Sequence, residues 1–351
     1  MNSTTKRKEK LLLVYVKRAT FVKRDEKILS KSYSVTNYHF NTTKKSYLPF
    51  AFIKQFFYLL FFGFRFNRIV IQSAGYVSFL PSIFGKIFNK KVVIIAIGTD
   101  CAKLPEINYG AFTKPILAWF TAFSFRHCSL ILPVHKSLAK SIYTYIDVKY
   151  PKQGILHLVP NCKTPINEVV NGYDTKKWLI TNENRIENSF LTVSFALDEV
   201  GYYRKGIDLI VAMAKKNPEY RFTIVGKVFL PEKAPKNIIF IDNVAQEKLL
   251  QIYNQHQYYL QLSMFEGFPN ALCEAMLCGC IPIGSNVAGI PDIIGNAGYI
   301  LKKKQEEKLQ EIITNLKNNT IGSLDVRNRI ANHFPFKRRE EELLEGVSNV
   351  W

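Results

Sequence analysis

Short runs of β-branched and aliphatic residues, apolar at every position rather than at alternate ones, restrict most what this chain can become. In the first half they fall at residues 11–16, 68–72, 91–97 and 129–134. In the second half they return at 190–195, 221–225, 237–241, 258–262 and 281–285. A strand with one wet face alternates apolar and polar side chains, whereas a strand covered on both faces does not. Helical patterns separate the runs, at 206–216, 247–256 and 270–279 in the second half. Strand and helix alternating in this way wind into a parallel sheet with helices on both faces. The expected class is therefore α/β, and 351 residues give room for two Rossmann-like units in series.

The polar stretch 171–188, which opens on Asn171 and Gly172, reads as the linker between the two units. It divides the chain into an N-terminal domain over 1–178, a C-terminal domain over 179–335 and a last helix over 336–351. That helix is too short for a domain and is expected to pack back on the first one. Hydrophobic residues at 47% and charged residues at 22% argue for a folded chain rather than a disordered one. The basic start is followed by an apolar run, 11–16, too short for a signal-peptide core and closed by Lys17 and Arg18. Lys54, Gln55 and Arg65 interrupt the longest greasy stretch, 49–66, so no transmembrane helix is read there. Six cysteines lack the paired spacing of a structural zinc site and read as reduced, buried thiols.

The formal charge of +20 is unevenly placed: residues 1–178 hold 28 basic and 8 acidic groups, residues 179–351 hold 20 of each. A one-sided basic excess attracts anionic partners, either nucleic acid or the acidic lipids of a membrane leaflet. No helix-turn-helix, zinc or RNA-binding signature is present, so nucleic acid is not expected. The aromatic run 52–66, with its Lys and Arg flanks, is read as a core helix with a loop, the alternative being a surface that docks on lipid. The N-terminal domain as a whole is expected to touch an anionic membrane surface.

Chemistry concentrates between residues 263 and 279, Ser-Met-Phe-Glu-Gly-Phe-Pro-Asn-Ala-Leu-Cys-Glu-Ala-Met-Leu-Cys-Gly. The segment starts where a strand ends, the place where open α/β sheets bind ligands. Gly267 and Pro269 turn the chain into a helix whose first amides suit an anion. Glu266 and Glu274 face the same cleft, unless they are ordinary surface carboxylates. Arg204, Lys205 and Gly206 lead into the next helix, where cations oppose the helix dipole and call for a phosphate; the alternative is a solvated basic turn. In the N-terminal domain, Asp100 follows the strand 91–97 through Gly98 and Thr99. It is a candidate to touch a sugar or acceptor across the cleft, or to cap a helix. His135 reads as a packed or capping histidine, with a catalytic role as the alternative.

Taken together, these segments resemble the retaining glycosyltransferases of family four. In that family a glutamate, seven residues and a second glutamate surround a Gly-Phe-Pro turn, as Glu266 to Glu274 do here. The likeness continues in Asn286-Val-Ala-Gly-Ile-Pro-Asp292, with Ala288 for a first glycine, in Arg204-Lys205-Gly206-Ile-Asp208 and in Ile224-Val-Gly226. Gly98-Thr-Asp100 and Asn171-Gly-Tyr-Asp174 extend it into the N-terminal domain. The resemblance implies a GT-B architecture, two Rossmann-like domains facing across a cleft. It implies transfer from a nucleotide-diphosphate sugar, UDP or GDP, to a saccharide or lipid-linked acceptor, with retention at the anomeric carbon. Glu274 would hold the ribose, and Glu266 with the turn Gly267, Phe268, Pro269 and Asn270 would hold the sugar. Lys205 and Arg204 would neutralise the diphosphate, and Gly226 and Val244 would lie near the base. The family often places an arginine where Phe195 stands here. No Asp-x-Asp occurs, so neither metal nor other cofactor is expected. The implied setting is surface polysaccharide or glycolipid synthesis, cytoplasmic and peripheral on the inner membrane face. The competing readings are a basic nucleic-acid-binding protein with a nucleotide-sensing domain and a sugar-nucleotide epimerase on the same scaffold.

Overall fold

The computed structural model describes residues 8–350 apart from 43, 182–183 and 243. In the N-terminal domain β1 (Glu9–Tyr15), β2 (Tyr33–His39), β3 (Arg68–Gln72), β4 (Lys91–Ala96) and β5 (Leu130–Pro133) form a parallel sheet in the order β2-β1-β3-β4-β5. Its crossover helices are α1 (Thr20–Ser32), α2 (Leu48–Phe62), α3 (Tyr76–Phe88) and α4 (Pro115–His127). A two-residue antiparallel pair, β6 (Ser141–Ile142) with β7 (Lys152–Gln153), and the short α5 (Ile155–Leu158) complete it.

The second sheet comprises β8 (Ile186–Val193), β9 (Arg221–Val225), β10 (Ile238–Ile241), β11 (His256–Gln261), β12 (Ile281–Ser285) and β13 (Tyr299–Leu301). Its order is β10-β9-β8-β11-β12-β13, again parallel throughout. Around it lie α6 (Glu199–Arg204), α7 (Ile207–Lys216), α8 (Gln246–Gln255), α9 (Asn270–Leu277), α10 (Ile290–Ile294), α11 (Glu306–Asn315) and α12 (Ser323–His333). In both sheets the central strands are wholly buried, as at Leu11, Leu13, Ile69, Ile71, Ile94 and Leu191. This burial on two faces is what the unbroken apolar runs record.

Two strands fall outside the apolar runs that mark the others. β2, the outer strand beside β1, reads Tyr-Ser-Val-Thr-Asn-Tyr-His and buries only Tyr33 and Tyr38 of its seven residues. β13 is likewise an edge, three residues long. The expected linker is also shorter than its polar composition implied. Its last residues, from Ile186, already belong to β8, and Trp178 is buried against Tyr253. The chain passes between domains near Tyr173 and returns near Pro335. There the two passages pair as a parallel bridge, Tyr173 N–H to Phe334 O and Phe336 N–H to Tyr173 O, both 3.0 Å.

After the return, α13 (Phe336–Ser348) lies against α1 of the N-terminal domain. Arg339, 1% exposed, donates through Nε and NH2 to both carboxylate oxygens of Asp25, itself 0% exposed, at 2.8 and 2.7 Å. Its remaining nitrogen reaches Val169 O and Val170 O. Paired in this way, the buried charge is satisfied; breaking one partner of such a pair costs about 3–5 kcal/mol.

The aromatic stretch differs from its expected core position. α2 buries a single stripe, Ala51, Gln55 and Leu59, four residues apart along the helix. Gln55 Nε2 donates to Val77 O and fixes that stripe on α3. Leu48, Phe52 and Tyr58 flank that stripe half-buried against the core, and Phe50, Ile53, Phe56, Phe57, Leu60, Phe61 and Phe62 face outward. By length and hydropathy alone Leu48–Arg65 would suffice to cross a bilayer, yet it is seated lengthwise on the domain through that stripe.

Candidate active site

The loop from β11 to α9 lies at the carboxyl end of the second sheet and meets the first domain through glycines. A Cβ on Gly267 would stand 2.3 Å from Ile97 O, and one on Gly98 would stand 3.3 Å from Gly267 N. Gly98 also has φ +138°, a conformation that L side chains avoid. No larger residue permits this approach of the two backbones. α9 then begins after Pro269 with no side chain capping its first turn, an N-terminus of the kind that attracts anions. Asn270 Oδ1 accepts from Tyr173 O–H at 2.8 Å, and Asn171 Nδ2 donates to Phe268 O, so the turn is held from the domain crossing.

Lys205 is carried to the same place by α6. Gly206 adopts φ +72°, and a Cβ there would stand 2.5 Å from Leu262 O, so only glycine seats α7 against the end of β11. Met264 N–H donates to Arg204 O at 2.7 Å, tying the two loops together. Lys205 Nζ consequently pairs with Glu266 Oε1, the two side chains 26% and 22% exposed. Arg204 lies over the Tyr109 ring, 5.4 Å from its centre, which directs the guanidinium toward the N-terminal domain. Phe195 is 52% exposed and borders Gly226. Gly226 turns with φ +116° under Ser194 O and donates its N–H to Ile241 O, bringing that turn beside the β10–α8 loop that contains Val244.

Glu274 sits one turn into α9. Burial pushes its carboxyl up to about 7, against the opposing pull of the Tyr253 hydroxyl at 3.4 Å and the charges of Lys177 and Arg24. Arg24 comes from the other domain. Its guanidinium donates to Gly172 O and Asn171 Oδ1, both at 2.9 Å, and lies over the Tyr173 ring.

Asp100 is not a free acid facing the cleft. It is 1% exposed; Oδ2 accepts from Ala74 N–H and Ser73 O–H, and Oδ1 from the amides of Gly98 and Ile97. Its carboxylate joins the loops after β3 and β4 and shapes the Gly98 turn. The corrected role is positional, because every oxygen is already engaged by these donors.

His135 does reach the interface. Its Nδ1 accepts from Ser137 N–H, which leaves the proton on Nε2, directed at Asp292 Oδ2 at 3.2 Å. Lys136 Nζ approaches the same oxygen at 2.7 Å. Burial lowers the His135 pKa despite Glu168 and Asp292. Burial raises Asp292, but Lys136 and His135 outweigh it and the net shift is downward. Ala288, in the place of the family's first glycine, keeps the left-handed backbone at φ +44°. Gly289 has no room for a side chain, since a Cβ would stand 2.6 Å from Gly267 O. The ring of Tyr109, tilted against Phe265 and hydrogen-bonded to Thr99, had no sequence signal; nor did the reach of Arg24. Among the described residues no three His, Cys, Asp or Glu side chains converge as metal ligands.

Two facing parallel α/β domains with the glutamates, the lysine and an open helix start at their junction define the GT-B architecture. Residues 199–333 match the family described as Glycosyl transferases group 1. The chain aligns with the phosphatidylinositol N-acetylglucosaminyltransferase gpi3 subunit of Schizosaccharomyces pombe, 25% identical over 33% of this chain and 28% of the relative. It aligns with the O-antigen chain mannosyltransferase B of Escherichia coli, 30% identical over 22% and 24% of the two chains. The chain thus spans less than a third of either relative's length. The structure of Anabaena HepE in complex with UDP and glucose superimposes over 98% of this chain and 100% of its own, with TM-score 0.69 and 14% identity.

Proposed function

We propose that the chain is a glycosyltransferase that moves a sugar from a nucleoside-diphosphate donor to a saccharide on a lipid anchor. The observation that carries this is the Lys205–Glu266 pair, set between the uncapped start of α9 and the Gly98 turn of the opposite domain. Without a donor the two charges neutralise each other. A bound diphosphate takes Lys205, assisted by the α9 amides, and releases Glu266 to accept from a sugar hydroxyl. Lys205 then stabilises the charge that grows on the leaving diphosphate, where fixed charge lowers the barrier most. Glu274 accepts from the ribose, with Gly226 and Val244 beside the base. Transfer proceeds with retention and without a divalent metal. Two relatives support this class, one named for a phosphatidylinositol acceptor and one for an O-antigen chain; surface polysaccharide or glycolipid assembly at the inner membrane face is the setting.

Thermal melting with UDP, GDP and ADP in excess EDTA tests it. One nucleotide should raise the melting temperature of the wild type by mass action, and Lys205→Ala and Glu274→Ala should lose that rise. No rise with any of the three, or a rise that survives both substitutions, would sink the reading.

A further inference from the structure

Arg204 is a cation without a counter-ion. It is half-buried beside the Lys205–Glu266 pair, in which Glu266 is already taken by Lys205. Among the described residues no carboxylate lies within ion-pairing distance of its guanidinium. What it meets is a ring of the other domain, Tyr109, whose centre is 5.4 Å from the guanidinium carbon. A guanidinium over an aromatic face is attracted to it, the more so where water is excluded. The ring nevertheless brings no charge, and a partly buried cation is held at a cost until an anion accompanies it.

The N-terminal domain fixes the ring. Leu104 and Tyr109 close a tight hairpin, Leu104 N–H to Tyr109 O at 2.9 Å and Tyr109 N–H to Leu104 O at 3.0 Å. Asn108 turns it with φ +45°. Gly110, at φ +104°, then passes so near Ala102 that a Cβ would stand 2.0 Å from the Ala102 carbonyl oxygen. The Tyr109 hydroxyl is 3.0 Å from that of Thr99 and 3.7 Å from where a Cβ on Gly98 would stand, so the side chain lies at the turn that Gly267 approaches. Burial and, after it, the charge of Glu266 raise the Tyr109 pKa. The ring therefore stays neutral and meets Arg204 through its face, not as a phenolate.

The C-terminal domain fixes the guanidinium. Arg204 ends α6, and its carbonyl accepts from Met264 N–H. Met264 O in turn accepts from the Tyr143 hydroxyl at 2.8 Å, and Tyr109 packs against Phe265 with ring centres 5.2 Å apart. Two tyrosines of the N-terminal domain thus bracket the residues that lead into Glu266. Where the resembling family often has an arginine, Phe195 presents an exposed ring without charge.

We propose that Tyr109 is a positioning residue for the donor diphosphate. Its ring holds the Arg204 guanidinium in the cleft, and the terminal phosphate of a nucleoside diphosphate supplies the missing anion there, beside Lys205. Ring and guanidinium come from different domains, so this second cation is in place only when the domains are closed. The N-terminal domain in this way sets the affinity for the diphosphate through a residue of the other domain. The proposal rests on the glycosyltransferase reading and adds to it how closure and phosphate charge are coupled.

Calorimetric titration with UDP, GDP and ADP, each against its monophosphate, in excess EDTA tests the role. The diphosphate that binds the wild type should bind Tyr109→Leu at least threefold more weakly, while the monophosphate changes less than twofold. Tyr109→Phe, which keeps the ring and drops the hydroxyl, should keep the wild-type preference for diphosphate. In an Arg204→Ala background Tyr109→Leu should cost nothing further, because the two side chains act as one unit. A ring that only packs the hairpin would weaken both nucleotides alike and would add its loss to that of Arg204→Ala. Equal losses for the two nucleotides, a loss in Tyr109→Phe as large as in Tyr109→Leu, or additive losses overturns the proposal. If a diphosphate binds and Tyr109→Leu leaves its affinity unchanged, the positioning role alone falls. If no diphosphate binds the wild type, the transferase reading falls and takes this role with it.

Discussion

Replacing Glu274 by glutamine removes a titrating carboxyl and leaves its shape, so the consequence of its burial can be read directly as stability against pH. Burial raises the carboxyl from 4.5 to about 7 in the folded protein. Between those values the folded state binds more protons than the unfolded state, so wild-type stability falls as pH rises through the window. The loss is complete above the folded value and absent below the unfolded one. At 1.36 kcal/mol per unit, this shift amounts to about 3 kcal/mol at most, because the residue is partly exposed. For a unit the size of the C-terminal domain that corresponds to roughly 6 °C or more in melting temperature. Melting curves of Glu274→Gln and the wild type from pH 4.5 to 8.5 should therefore coincide at the acid end and separate above pH 7, the variant melting higher. A gap of equal size at pH 5 and pH 8 would refute the reasoning, since an unshifted carboxyl titrates alike in both states.

Two further outcomes follow from the contacts between the domains. Arg339→Ala leaves Asp25 charged and unpaired in the core and should lower stability by about 3–5 kcal/mol, with Asp25→Asn in the same chain recovering part of the loss; denaturant unfolding measures both. Gly267→Ala places a methyl within 2.3 Å of Ile97 O, so the domains should separate and the radius of gyration in solution scattering should rise, while a Gly322→Ala control, whose nearest atom is the far end of the Asp325 side chain, should leave it unchanged.

The two sheets and their parallel sense were legible in the chain because a strand buried on both faces carries its environment in its own composition. The same holds for Gly98, Gly206 and Gly267, whose residue type is dictated locally by turns and close backbone approaches. Strand β2 mixes polar residues among its apolar ones and β13 is only three residues long, so neither carries such a mark. The sequence left Asp100 between an acid facing the cleft and a structural cap, and only tertiary structure supplied the Ala74, Gly98 and Ile97 amides that occupy it. It left 52–66 between a core helix and a lipid-docking surface, and only packing decided that Ala51, Gln55 and Leu59 are buried, Phe52 and Tyr58 half-buried, and Phe56, Phe57 and Phe61 exposed. His135 with Asp292, Arg24 beside Asn171 and Tyr109 beneath Arg204 are partners more than 90 residues apart in sequence. Local composition fixes which elements form and which residues suit their ends; the docking of two separately wound domains fixes which of those ends meet, and no window along one chain contains that information.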